Sequence, residues 1–281
     1  MTDMASVWTD TQRERLSELG ASDDLLQQSF AGAAERDRVF QAEAKKLAAA
    51  CRQQLQEFRD HVKRPLLTQL RERLAAALVA DGFVEVETPT IISKDMLAKM
   101  TIDDEHHLFS QVFWLDKSKC LRPMLAPGLY YVAKDLLRNW KEPVRMFEIG
   151  SCFRKESQGS THLNEFTMLD LVEWGLPLEE RQAHLEHFAA LVMDAAGLTG
   201  YELEREESTV YGDTVDVTYH GIEVASSAVG PHPLDAAWGI TTSWAGIGFG
   251  LERLIMLREG GRNVKGYSRS LTYLNGTRLN V

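Results

Sequence analysis

Trp244-Ala245-Gly246-Ile247-Gly248-Phe249-Gly250-Leu251-Glu252-Arg253-Leu254 is the stretch on which the fold turns. Trp244 to Phe249 reads as a strand that runs straight into a helix opened by Gly250-Leu251-Glu252-Arg253. Glycines at alternate positions strip one strand face of side chains, so a flat ligand can approach the backbone. Arg253 then stands at the helix opening, where it can cover such a ligand and reach phosphate. The string is not a dinucleotide fingerprint, because the strand precedes no βαβ unit.

Upstream, strands are expected near 144–154 and 165–173, joined as a long hairpin by the polar segment 155–164. Phe153-Arg154-Lys155-Glu156 closes one arm, and His162-Leu163-Asn164-Glu165-Phe166-Thr167 opens the other. These residue types suit a nucleotide. Arginine grips phosphate bidentately, a carboxylate reads an adenine amino group, and an aromatic ring stacks on the base. Further strands are expected at 110–115, 119–122, 209–219 and 222–229. Helices are expected over Pro127 to Asn139 and about 178–196. Gly82-Phe83-Val84-Glu85-Val86-Glu87-Thr88-Pro89 follows an amphipathic helix that Pro65 restarts and Leu66, Leu67, Leu70, Leu74 and Leu78 define by their spacing. Gly82 stops that helix, and the next five residues alternate like a strand. Hairpins with helices packed outside predict an α+β fold on an antiparallel sheet.

Residues 9 to 64 read as helical throughout. Thr9 or Asp10 caps a first helix ended by Gly20, Ser22 caps a second, and a long polar helix runs from about Ala33 to Val62. Its apolar residues, Val39, Phe40, Leu47, Leu55 and Phe58, are too sparse for a continuous core stripe.

The 281 residues suit one catalytic-size domain with a small appendage. Acidic residues (41) outnumber basic ones (31), which excludes a general basic coat for nucleic acid but not a local stripe. The tail after Glu259 carries Arg262, Lys265, Arg269 and Arg278 with no acid. The three cysteines lie far apart without a CxxC pair, which argues against a zinc ribbon or disulfide scaffold and favours a reducing cytoplasm. No apolar run is long enough for a membrane span, and the first ten residues lack a signal-peptide layout.

In order and spacing, Gly82–Pro89, the Arg154 hairpin and Gly246–Leu254 resemble motifs 1, 2 and 3 of the class II aminoacyl-tRNA synthetases. Leu121-Arg122-Pro123-Met124-Leu125-Ala126-Pro127, Phe147-Glu148-Ile149-Gly150-Ser151-Cys152, Glu165-Phe166-Thr167-Met168-Leu169, Val210-Tyr211-Gly212-Asp213 and Leu274-Asn275-Gly276 are similar to the pyrrolysyl-type members. The resemblance covers nearly the whole chain from Pro65. Residues 1–64 resemble the shorter helical extension of the bacterial form, without the fused basic domain of some members.

The resemblance implies an enzyme that activates an amino acid with ATP and passes it to the 3′ end of a cognate tRNA. The amino acid would be pyrrolysine or a bulky lysine-like analogue. It implies a homodimer built on the first motif, a tRNA-binding extension over 1–64, and a catalytic domain over 65–281 with a basic tail. By motif, Arg154 would hold the α-phosphate and the attacking carboxylate, and Glu156 the adenine amino group. Phe166 and Arg253 would sandwich the base, with His162 and Arg253 toward the β,γ-phosphates and Leu163 packed nearby. Glu223 and Ser226 would hold Mg²⁺, which takes few protein oxygens plus phosphate. Ala126, Leu129, Tyr130, Ala133, Met168, Asp170, Val172, Tyr211, Ala228 and Trp244 would line the amino-acid pocket, Tyr211 closing over it.

Three positions depart from that pattern. Asp170 stands where the family carries Asn, Ala133 where a bulkier side chain is usual, and Gly128 where Asn is usual. An ionised Asp only accepts hydrogen bonds. Asp170 is therefore protonated, or paired with a cationic or donor group on a different substrate, or part of a site altered by nature or engineering. Two rival readings keep the fold. One is an adenylate-forming paralogue with a non-tRNA acceptor; the other is an inactive tRNA-binding paralogue, against which the intact Arg154, Glu156, Glu223 and Arg253 speak.

Overall fold

The structure is a computed structural model that describes residues 6–140, 143–155, 159–208 and 210–281. It divides into two compact units: residues 67–264, and residues 1–66 together with 265–281.

The larger unit is built on seven strands: β1 (Val84–Glu85), β2 (Val144–Phe153), β3 (Glu165–Trp174), β4 (Glu202–Ser208), β5 (Gly212–Tyr219), β6 (Ile222–Gly230) and β7 (Trp244–Gly250). Their spatial order is β1-β2-β3-β7-β6-β5-β4. Every neighbouring pair is antiparallel except β1 with β2, so the sheet carries one parallel edge. β2 and β3 form the expected hairpin, in register from Val144↔Trp174 to Phe153↔Glu165. Placing β7 between β3 and β6 is what brings the glycine strand to the middle.

Buried Trp174, Phe147, Phe188 and Phe249 anchor the interior. The helix Arg181–Ala196 buries Leu185, Phe188, Ala189, Val192 and Met193, while the helix Ala126–Asn139 buries Leu129, Tyr130 and Ala133. Such apolar burial is the main drive for this packing.

In this unit, residues 110–115 and β4 differ from expectation. Residues 110–115 do not form a strand: His107–Gln111 is helical, started by the His106 ring accepting from the Leu108 amide, and only a Trp114↔Cys120 bridge follows. Phe109 lies on Trp114 with ring centroids 4.8 Å apart, so the apolar run folds onto itself. Short apolar runs carry too few residues to reveal their period. β4 was not anticipated, because Glu202-Leu203-Glu204-Arg205-Glu206 has one apolar side chain. It is an edge strand, where charge is the usual protection.

In the smaller unit, Thr9 and Gln12 form a reciprocal capping box before the helix Asp10–Glu18, and Ser22 caps Asp23–Leu26. The segment 9–64 is not helical throughout: Ser29–Phe30 pairs antiparallel with Ser6–Val7. Phe30 is buried against Trp8, ring centroids 4.3 Å apart, and Trp8 donates to the Leu25 carbonyl at 2.6 Å. That cluster supports the long helix Ala33–Glu57 through Val39, Phe40 and Leu47. The tail hairpin, Tyr273–Leu274 with Thr277–Arg278, belongs to this unit, where Arg278 pairs with Glu18 at 2.6 Å.

Candidate active site

A cavity of about 560 Å³ lies over one face of the sheet in the larger unit. Residues two apart along a strand share a face, so its floor can be read as successive cross-strand rows. The first row is Val172, Gly246 and Ala228. The second is Glu148, Asp170, Gly248, Ser226 and Asp216. The third holds Met168 and Gly250, beyond which Phe166 and Arg154 stand at the hairpin end. The floor therefore grades from apolar, through carboxylates, to an aromatic ring and guanidinium groups.

The glycines make the floor open. A Cβ on Gly248 would overlap Asp170 Oδ1, and one on Gly246 would lie 3.2 Å from Val172 Cγ2. Gly250 is less crowded, its nearest neighbour being Arg253 Cδ at 3.9 Å.

At the polar end, Arg154 Nε donates to the Pro123 carbonyl at 2.9 Å, and its guanidinium lies 5.3 Å from the Phe166 ring centre. Arg253 is fixed by its Nε on the Thr161 carbonyl at 3.2 Å and Nη1 on the Glu223 carbonyl at 3.0 Å. Its neighbour Glu252 is buried and takes Thr167 N–H at 2.9 Å and the Thr167 hydroxyl at 2.8 Å, tying the helix start to β3. Sequence reading gave Glu252 no role. Its place inside the Gly-Leu-Glu-Arg string was the available signal.

At the apolar end, Leu129, Tyr130, Val172, Ala228 and Trp244 form the wall, with Tyr211 at its edge, 5.9 Å from the Trp244 ring centre. Asp235, also unforeseen, is the buried hinge of that wall. It accepts from the Tyr130 hydroxyl and Trp244 Nε1, both at 2.9 Å, and from the His232 amide at 2.7 Å. Burial pushes the hydroxyls of Tyr130 and Tyr211 far up, so both remain protonated donors.

At the end of the second row, Glu148 forms a buried pair with Arg122 at 2.6 Å. Thr88 completes it by donating its hydroxyl to Glu148 at 2.7 Å, while its carbonyl accepts from Arg122 at 3.0 Å. Gly128 is pressed against this Thr88: a Cβ at 128 would overlap the Thr88 side chain. Asp170 is less well served. Its Oδ1 is buried and has no hydrogen-bond partner among the described residues. Burial, reinforced by the Glu148 charge and opposed by Arg154 and Arg122, pushes its carboxyl up to about 7.

The cavity brings together Arg154, His162, Leu163, Phe166, Glu223, Ser226 and Arg253 with Ala126, Leu129, Tyr130, Met168, Asp170, Val172, Tyr211, Ala228 and Trp244. Ala133 is not on its wall but fully buried in the cluster behind it. Glu156 lies outside the described residues. For a divalent ion, the Glu223 carboxylate and Ser226 hydroxyl offer hard oxygens, and Asp216, opposite Ser226, adds a buried Oδ1 without a partner among the described residues. That donor chemistry fits Mg²⁺.

A glycine-floored antiparallel sheet with these arginines is the class II synthetase arrangement, and the family model for the tRNA synthetases class II core domain matches residues 52–275. The chain belongs to the class II aminoacyl-tRNA synthetases. Within them it belongs to the pyrrolysyl-tRNA synthetase family. It is similar to the crystal structure of pyrrolysyl-tRNA synthetase from Desulfitobacterium hafniense at 55% identity and TM-score 0.94, covering 99% of this chain and 100% of that one. A second pyrrolysyl-tRNA synthetase structure from that organism matches at 53% identity and TM-score 0.93, covering 100% and 98%. Among curated proteins, threonine–tRNA ligase from Wolbachia pipientis is 30% identical over 102 residues, 34% of this chain. The ligase from Gluconacetobacter diazotrophicus is 32% identical over 101 residues. The chain matches only 16% of the length of each of those ligases. Class II synthetases in general use ATP and Mg²⁺, and their partners are tRNA and an amino acid. Among the described residues no helix is long and apolar enough to cross a membrane.

Proposed function

We propose that this chain activates pyrrolysine, or a comparably long lysine-derived amino acid, and transfers it to the 3′ end of a pyrrolysine-type tRNA. The observation that carries this reading is the graded floor: one cavity joins an apolar end to an aromatic and guanidinium end. A long, largely apolar side chain suits the wall of Leu129, Tyr130, Val172, Ala228 and Trp244. ATP suits the other end, with adenine between Phe166 and Arg253, and with His162 and Arg253 toward the outer phosphates.

An oxygen of the substrate carboxylate bonds to the α-phosphorus as the bond to pyrophosphate breaks. Arg154 holds both groups and neutralises the charge that gathers between them. No covalent intermediate with the protein is required, so catalysis is positioning and charge stabilisation. Glu223 and Ser226 would hold Mg²⁺, which when bound neutralises phosphate charge. Glu156 would read the adenine amino group.

A ribose hydroxyl of the tRNA then takes the acyl group, releasing AMP. Residues 1–64 and the basic tail would carry the phosphate contacts, with salt-dependent affinity. A homodimer through the first motif is supported by exposed Val79, Val84 and Ile91 around that segment. A cytoplasmic setting follows from this role in translation.

Pyrophosphate exchange with pyrrolysine tests the first half-reaction: exchange is expected, and Arg154→Ala should abolish it. Charge reversal at Arg262, Lys265 and Arg269 should weaken tRNA charging far more than exchange. Exchange without any transfer to tRNA would favour a different acyl acceptor.

A further inference from the structure

We infer that Asp235 is the positioning residue that sets how long a side chain the apolar end of the cavity accepts. The inference deepens the proposed function and rests on reading that end of the cavity as the amino-acid site.

Placement is the first argument. One row beyond Val172, Gly246 and Ala228, the sheet carries Trp174, Trp244 and Gly230. Trp174 and Trp244 both line the cavity, so they close its floor at the apolar end. Successive same-face rows are about 7 Å apart, the rise of two strand residues. The position of the Trp244 indole therefore decides how far an extended substrate side chain can reach. A Cβ on Gly230 would overlap that indole, so the glycine is what lets it lie across the neighbouring strand.

The second argument is direction. Tyr130 lies among Trp174, Trp238 and Trp244, with ring centres 6.2, 5.5 and 6.0 Å away. Apolar packing holds rings by area and lets them slide, whereas a hydrogen bond has a direction and fixes where they stop. Asp235 supplies such a bond to both sides of the pocket. The Tyr130 hydroxyl donates to Oδ1 and Trp244 Nε1 donates to Oδ2, each at 2.9 Å. Oδ2 also takes the His232 amide at 2.7 Å. Tyr211 rests on this assembly, its ring centre 5.9 Å from that of Trp244 and 5.6 Å from that of His232. The wall, the far end and the seat of Tyr211 thus share one buried carboxylate that lies behind the cavity lining.

The third argument is the chemistry of that side chain. Indole and backbone N–H groups only donate, and a carboxylate presents two accepting oxygens and no donor. An amide would turn its NH₂ toward either the indole or the hydroxyl. Removing the acceptor leaves buried donors unsatisfied, and each must shift to find another partner.

The test is the dependence of pyrophosphate exchange on acyl length in a series of Nε-acyl-lysines. Binding of the same series is measured by calorimetry in the presence of a non-hydrolysable ATP analogue. In wild type, kcat/KM should rise about fourfold per methylene up to an optimum. It should then fall by about 10- to 100-fold for acyl groups two carbons longer, the cost of overfilling a packed site. Asp235→Ala should shrink that fall to within a few-fold, with the KM for ATP unchanged within about twofold. Asp235→Asn, which keeps the volume and one accepting oxygen, should flatten the profile in part. A profile of unchanged shape in Asp235→Ala, lowered by a common factor, overturns the inference, because Asp235 would then serve folding alone. If that variant does not fold, an unchanged profile in Asp235→Asn overturns it equally. Exchange in wild type without a length optimum overturns the inference and leaves the enzymatic reading standing. Length-selective binding that Asp235→Ala flattens, without exchange, sustains the inference and refutes that reading.

Discussion

Replacing Asp170 by Asn should stabilise the ligand-free protein, and the gain should grow with pH. The carboxyl is pushed from an ordinary 3.8 up to about 7 in the folded protein, first by burial and then by the Glu148 charge. Between those values the unfolded chain has released the proton and the folded chain retains it, so stability falls as pH rises. Each pH unit across that interval costs about 1.4 kcal/mol, or about 4 kcal/mol over roughly three units. Below about pH 4 both states are protonated and this contribution vanishes. Asn carries no such proton and escapes the cost. In urea unfolding followed by tryptophan fluorescence, the advantage of Asp170→Asn should be about 1–2 kcal/mol near pH 5 and grow to about 4 kcal/mol by pH 8.5. A gap that is the same at both pH values would refute the reasoning. It would mean that Asp170 ionises normally, the opposing Arg154 and Arg122 charges offsetting its burial and the Glu148 charge.

Arg122→Ala should destabilise the protein by about 3–5 kcal/mol in the same assay, because it leaves Glu148 buried without its partner. The double variant Arg122→Met, Glu148→Leu should recover much of that loss, since it removes both charges. Gly248→Ala should cut pyrophosphate exchange by about 10- to 100-fold, since the added methyl overlaps Asp170 Oδ1 and shifts the bound amino acid. Gly250→Ala, whose methyl meets only the Arg253 side chain at 3.9 Å or more, should cost far less.

How much of this was legible in the sequence differs from element to element. The β2–β3 hairpin was, because both arms are long and end at polar turn residues. β7 and the helix that follows it were, because the glycine alternation and the Leu-Glu-Arg start are local signals. β4 was not: its charged residues carry no apolar period, and only pairing with β5 makes it a strand. Phe30 lies in a region that reads as helix, yet it enters a strand because Trp8 packs against it.

The site divides in the same way. Arg154, Phe166 and Arg253 can be named from motif spacing, since each sits where a strand or helix ends. Asp235 could not, because nothing around it signals that Tyr130 and Trp244, distant in the chain, both donate to it. Asp170 is the middle case. The sequence identifies it as an acid in an otherwise apolar run and leaves its partner open. The sheet order decides its surroundings, setting Glu148 on one side and Gly248 on the other.

The sequence by itself determined the hairpins, the glycine-stripped strand and the residues able to grip a nucleotide, because those depend on near neighbours and period. Tertiary structure alone decided the row Glu148, Asp170, Gly248, Ser226 and Asp216, which gathers residues from five strands. Burial and charge act through space across such a row, so the ionisation of Asp170 is a property of the assembled sheet and not of the segment that contains it.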